Sequence, residues 1–200
     1  MPPSGEVARF ARMSTPIDLG RPVSGDVIDL ILEDHRRFEA LLRDLRDSTS
    51  DRDAVRKALS ALHVAHAEAE EKHVYPQLRR KDAITEHEAE HGEEEHAEGH
   101  EAMLAVLELK GTDTQAFDDA VEELAKVLNH HMTEEELTIL NPAREEVGEQ
   151  VRAELGAKFA TERNAQLDAD CGTIDNVRRI VEAAEREGLL DDEEDEDSED

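Results

Sequence analysis

The feature that most constrains this chain is a histidine and a glutamate four residues apart inside an apolar helical stripe, an arrangement that occurs twice. In Leu62 to Pro76, LHVAHAEAEEKHVYP, His66 and Glu70 share one helix face. Leu59 and Leu62 precede the pair on that face and Val74 follows it, so two ionisable groups stand where a core would be apolar. Without partners they are costly there, and a bound cation removes that cost. Leu124 to Pro142, LAKVLNHHMTEEELTILNP, repeats the order with His131 in the place of His66. In Glu33 to Leu45, EDHRRFEALLRDL, His35 shares a face with Ile31, Phe38, Leu42 and Leu45. Laid on it, Glu95 to Leu107 places His96 on His35, His100 on Glu39, Met103 on Leu42 and Val106 on Leu45. The chain is therefore an internal duplication, with His35 and His96 separated by 61 residues and His66 and His131 by 65.

Periodicity predicts an all-α chain. A first helix runs from an N-cap at Ser24 or Asp26 to about Asp47, and a second starts near Asp51 or Asp53 and is loosened by Pro76. After a break around Lys81 to Thr85, a third runs to about Lys110 and a fourth starts from Thr112 or Asp113. Short connections make neighbours antiparallel, an up-down-up-down four-helix bundle over residues 24–142. Counted from the intervening turns at about 1.5 Å per residue, His35, His66, His96 and His131 lie roughly 21, 26, 24 and 29 Å along their helices, in one layer. Residues 143–188 read as a helical extension with two further helices that cover the bundle or an oligomer contact. Residues 1–23, with four of the six prolines, read as an extended or disordered arm, and residues 189–200 as a disordered acidic tail.

A net charge of −29 argues against nucleic acid or anionic membrane as partner, since the phosphates would be repelled. Cys171 is the single cysteine, so no intramolecular disulfide forms. With no membrane-spanning run and no signal-peptide core, the chain reads as cytoplasmic. No Ser-His-acid or Cys-His grouping and no glycine-rich phosphate loop appears. Oligomeric state is not legible.

A layer of imidazoles with one carboxylate from each half suits two borderline cations such as iron, the carboxylates bridging and the histidines terminal. DHRRFEALLRDL, HAEAEEKHVYP, EEEHAEGHEAML and HMTEEELTILNP together resemble the hemerythrin-like, or HHE cation-binding, domains over about Val27 to Pro142. The resemblance implies a four-helix bundle with two iron ions in an oxo- or hydroxo-bridged centre. It also implies a small-molecule ligand, dioxygen, hydrogen peroxide or nitric oxide, and roles in oxygen binding, oxidative stress or iron handling. By the same resemblance His35, His66, Glu70, His96 and His131 are metal ligands. Founding members carry another histidine one turn before the third-helix ligand. That place is Gly92 here, with His91 beside it as the candidate fifth histidine ligand, reached if the helix bulges, and His100 a turn beyond His96. On the fourth helix Glu135 repeats the four-residue spacing, whereas Glu136 gives the family's five and better fits the position of Pro142; Glu136 is preferred.

Two other readings compete. Glu70-x-x-His73 and Glu93-x-x-His96 match the ligand pair of ferritin-like di-iron carboxylate oxidases, and the bundle could instead be a non-catalytic, cation-dependent sensor or scaffold. His63, His73 and His130 read as surface or supporting residues, Tyr75 as a cap on the bundle end, and Cys171 as a loop thiol. Because Gly92 and Gly99 leave room for solvent, a wet, quickly autoxidising site with modest catalase-like peroxide decomposition is expected.

Overall fold

The computed structural model describes residues 17–190. Every regular element among them is helical: α1 (Val27–Arg46), α2 (Arg52–Ala69), a π-helical turn (Glu70–Val74), α3 (Tyr75–Arg80), α4 (Glu86–Glu108), α5 (Gln115–Glu135), a second π turn (Glu136–Leu140), α6 (Asn141–Glu146), α7 (Glu149–Asp168) and α8 (Ile174–Glu187).

Local chemistry fixes the helix starts. Asp26 accepts from the Ile28 amide, Asp51 from Ala54, and Thr85 forms a reciprocal capping box with Glu88. The cap of α5 is Thr114, accepting from Phe117, and not Thr112 or Asp113. Pro76 and Pro142 have no N–H to donate, and each stands second in a short helix that follows a π turn. In these turns the Tyr75 amide bonds the Glu70 carbonyl and the Asn141 amide the Glu136 carbonyl, so the helix axis continues with a locally widened register.

Helices α1, α2, α4 and α5 pack in cyclic order as an up-down-up-down bundle, with α7 against α1 and α2, and α8 against α4. Two apolar clusters fill it. Phe38, Leu42, Leu59, Leu62, Phe117 and Leu124 occupy the end with the two tight connections. Ile31, Val74, Leu78, Ile139, Leu140 and Phe159 occupy the other. The four histidines lie between them. A third cluster, including Cys171, Val177 and Val181, seats α8; Cys171 is the expected loop thiol, in the turn between α7 and α8, but it is buried and donates to the Ala61 carbonyl at 3.3 Å.

The two extra helices do more than cover. Arg163 of α7 is completely buried and donates to both oxygens of Asp34 on α1, at 2.5 and 2.8 Å. Its remaining donors reach the carbonyls of Leu19 and Gly20. Of the arm expected at residues 1–23, the described part, 17–23, has no regular secondary structure but is anchored, while 1–16 lie outside the described residues, as does 191–200 of the tail. Helix α7 crosses this segment so closely that a Cβ on Gly156 would lie 2.0 Å from the Gly25 carbonyl oxygen.

Candidate metal centre

The four histidines form a closed ring of imidazoles: neighbouring centroids are 5.4 Å apart for His35 and His66, 6.3 Å for His66 and His96, 4.6 Å for His96 and His131, and 6.4 Å for His131 and His35. One carboxylate oxygen from each half sits inside the ring. Glu70 Oε2 lies 3.2 Å from His66 Nε2 and 3.3 Å from His96 Nε2; Glu135 Oε2 lies 3.1 Å from His35 Nε2 and 4.0 Å from His131 Nε2. All six side chains are buried.

Each ring is oriented from behind. A carboxylate faces every Nδ1: Glu136 at 2.9 Å from His35, Asp34 at 3.4 Å from His66, Glu71 at 2.7 Å from His96, and Glu95 at 3.1 Å from His131. These carboxylates accept the Nδ1 proton, which leaves the Nε2 lone pair free to ligate. All four Nε2 atoms, both oxygens of Glu70 and Oε2 of Glu135 are buried without a hydrogen-bond partner. Seven such atoms on six side chains left unsatisfied at one point would be expensive in an apolar interior, and bound cations satisfy them together.

The backing follows the duplication. Asp34 and Glu95 are 61 residues apart, as His35 and His96 are, and Glu71 and Glu136 are 65 apart, as His66 and His131 are. In each half the first glutamate of a Glu-Glu pair points in, and the second turns out to hold the histidine of the facing helix.

Electrostatics alternate in the same way. Burial pulls His35 and His96 down, but the carboxylates of Glu135 and Glu136 on one, and of Glu70 and Glu71 on the other, outweigh it and push both up to about 10. On His66 burial wins over Asp34 and holds the ring down to about 4; His131 is lowered for the same reason against Glu95. Burial, reinforced by the charge of Glu135, raises Glu70 to about 8, whereas for Glu135 the His35 cation outweighs burial and lowers it.

Two overlapping groups could hold an ion, His66 with Glu70, His96 and His131, and His35 with His66 and Glu135; with its Nδ1 facing Asp34, His66 can give its Nε2 to only one ion at a time. Two candidates are not brought in. Glu136, the preferred fourth-helix carboxylate, is about half-exposed and binds the outer nitrogen of His35. The reason is register. Pro142 follows Pro76 by 66 residues, but the π turns are themselves 66 apart, so the extra residue is absorbed beyond Glu135, which keeps the four-residue spacing. His91 is half-exposed beside Glu94 and does not reach the ring. The ferritin-like pairing is not assembled either, since His73 faces outward to Glu162 at 3.6 Å.

Gly92 and Gly99 do not admit solvent. A Cβ on Gly92 would lie 3.1 Å from the Tyr75 ring, and one on Gly99 would lie 2.7 Å from His63 Nε2. Aromatic rings fill both gaps, which corrects the expectation of a wet site. Tyr75 stacks on His96, with centroids 5.9 Å apart, and its hydroxyl donates to Glu135 Oε1 at 3.2 Å. It belongs to the centre as well as to the bundle end. His63 and His100 are also buried, their rings 4.5 Å apart, whereas His130 is exposed.

Sequence reasoning missed the supports Asp34, Glu71, Glu95 and Arg163. The repeat could have found the first three, because each stands at an offset that relates the histidines; Arg163 lies outside the repeat and carried no signal. Phe159 of α7, 5.8 Å from His66 and perpendicular to it, likewise lies outside the repeat.

Comparison with curated proteins and with solved structures returns no match. The family model described as the hemerythrin HHE cation binding domain matches residues 26–142, which contain the duplicated helices and every inward-facing donor. The chain belongs to the hemerythrin HHE cation-binding domain family.

Proposed function

We propose that the chain is a non-haem di-iron protein whose centre takes a small ligand such as dioxygen, hydrogen peroxide or nitric oxide. The observation that supports this most is the convergence of four orphaned imidazole nitrogens on two buried carboxylates. A mixed nitrogen and oxygen set suits iron, whereas imidazoles alone favour zinc or copper and oxygens alone magnesium or calcium. Bound iron would supply electron-transfer and ligand-binding chemistry at positions the six donors leave open.

The chain's own residues do the rest. Asp34, Glu71, Glu95 and Glu136 fix ring orientation. Phe38, Phe159 and Tyr75 pack on the imidazoles and exclude water. That dryness favours holding a ligand over rapid loss to solvent. Protein purified from iron-replete cells should carry roughly two irons per chain, the count of the di-iron bundle proteins, and absorb in the visible. A colourless zinc protein, or one metal or fewer, ends this reading.

A second reading, peroxide decomposition, is favoured by a proton donor at the centre, the Tyr75 hydroxyl, which donates to Glu135. Stopped-flow mixing of the reduced protein with oxygen separates the two. We expect a species that persists for minutes and reverts under argon; immediate return to the resting spectrum with turnover of added peroxide favours the second.

A further inference from the structure

The centre is closed on all sides, so whatever fills it must pass through the protein. Two surface pockets approach it, at places the duplication relates. One, of about 240 Å³, is bounded by Glu68, Glu71, Glu93 and His100, with α8 as its outer wall. The other, of about 380 Å³, presents Thr133, Glu136, Leu32 and Glu39 at the equivalent positions. Each reaches the carboxylate that holds a ligand histidine, Glu71 on His96 or Glu136 on His35.

There the likeness ends. In the second pocket Met132 replaces Ala67, Leu32 replaces Glu93, and Arg144 adds a cation, so its lining does not carry one sign of charge. The first has four carboxylates, from Glu68, Glu71, Glu93 and Glu187, and no Lys or Arg in its lining. His100 stands at its inner side, 4% exposed, with Nε2 lacking any hydrogen-bond partner. Behind His100 is His63, wholly buried, with neither ring nitrogen partnered, and 6.3 Å further is ligand His96. Unpartnered imidazoles thus lead from the pocket to the centre on this side; on the other, Leu128 stands where His63 would be.

We propose that the acidic pocket between α4 and α8 is the door through which a divalent cation reaches the centre, with Glu68, Glu71, Glu93 and Glu187 gathering it and His100 its first nitrogen ligand. The proposal rests on reading the centre as a metal site. A cleft lined by one sign of charge concentrates counter-ions and raises their arrival rate by about 10- to 1,000-fold. Among the described residues only the centre draws three or more donors close enough to hold an ion directly, so the pocket's ion keeps water between itself and the carboxylates. That looseness suits transit, because a tight site would not release its cargo inward. Leu189 forms part of the rim.

The test is the rate at which metal-free, full-length protein takes up cobalt(II), followed by stopped-flow absorbance, with the final stoichiometry measured separately. Glu93→Gln with Glu187→Gln should slow second-order uptake about tenfold and weaken its dependence on ionic strength, while the cobalt bound at equilibrium and the helical circular dichroism stay unchanged. His100→Leu should slow uptake as well. The control is Glu39→Gln in the related pocket, which should leave the rate alone. Uptake that ignores the Glu93 and Glu187 changes, or slows equally with Glu39→Gln, overturns the door while leaving the centre intact. Wild-type protein that binds no cobalt at all overturns the metal centre and the door together.

Discussion

The two halves of the duplication present nearly the same face to the centre and differ in what stands behind it. Asp34 and Glu95 occupy equivalent places and hold equivalent histidines, yet Asp34 is clamped by buried Arg163 and also held by Arg37, whereas among the described residues Glu95 has histidines alone as ionic partners, His131, His130 and His91. Ile31 and Leu140 pack as aliphatics where the other half has Gly92 and Tyr75. Phe38 fills a place that Gly99 leaves to His63. A repeat preserves the donors because the cation needs all of them, while the surroundings are free to diverge into a clamp, a hydroxyl donor and a polar passage.

The comparison can be broken most forcefully at the clamp. Arg163→Met leaves buried Asp34 with the partly exposed Arg37, at 3.1 Å, as its remaining guanidinium and should cost up to about 3–5 kcal/mol in urea unfolding. Asp34→Asn in the same chain should recover part of that loss, because the two residues act as a unit. Glu95→Gln removes no such pair and should cost far less; equal losses would show that the halves are supported alike.

The next effect tests symmetry directly. Glu71→Gln and Glu136→Gln each remove the acceptor behind one ligand histidine, and each should weaken metal affinity by about 10- to 100-fold, as changes behind a ligand do. A much larger loss for Glu136→Gln, measured by competition with a chromophoric chelator, would return Glu136 to the ligand set.

Changing pH separates the first histidine of each half from the second. In the metal-free protein His35 and His96 stand at about 10, above the ordinary 6.5, so the stability they contribute is complete below pH 6.5 and is lost as pH rises toward 10. His66 stands at about 4 and His131 is lowered too, so folding favours their neutral forms, and that contribution is lost as pH falls below 6.5. Metal-free protein should therefore be most stable near neutrality in a series of thermal melts. Ligation requires His35 and His96 to give up protons, so metal affinity should climb with pH and binding at pH 7 should release protons, readable by calorimetry in two buffers.

His91→Ala should have the smallest effect, within about 0.5 kcal/mol in stability and with metal content unchanged, since the ring is half-exposed and outside the centre. Loss of metal in that variant would restore a fifth histidine ligand.

The sequence was legible where periodicity and donor chemistry coincide. His35, His66, His96 and His131 interrupt apolar stripes at matched depths, so both the bundle and its ring of imidazoles follow from spacing. Choosing between Glu135 and Glu136 failed because Pro142 served as a ruler, and a π turn had changed the ruler after the ligand instead of before it. The glycines misled for a related reason. A missing side chain marks space, but only packing says what occupies it, and Tyr75 and His63 come from another helix. Arg163 was out of reach because it pairs across 129 residues with a helix whose pattern gives no sign of needing it.

That long reach bears on when the centre can exist at all. During synthesis His35, His66, His96 and His131 all leave the ribosome before Arg163 does, and until then the Asp34 charge that orients His66 has no buried cation. Because the segment recognised as the family's domain ends at residue 142, its ligands are all made while α7 is still missing. Contacts this distant in sequence close late and at an entropic cost. Maturation should therefore be a post-translational event, with the last helices of the chain setting the moment at which the first ones become competent to keep a metal.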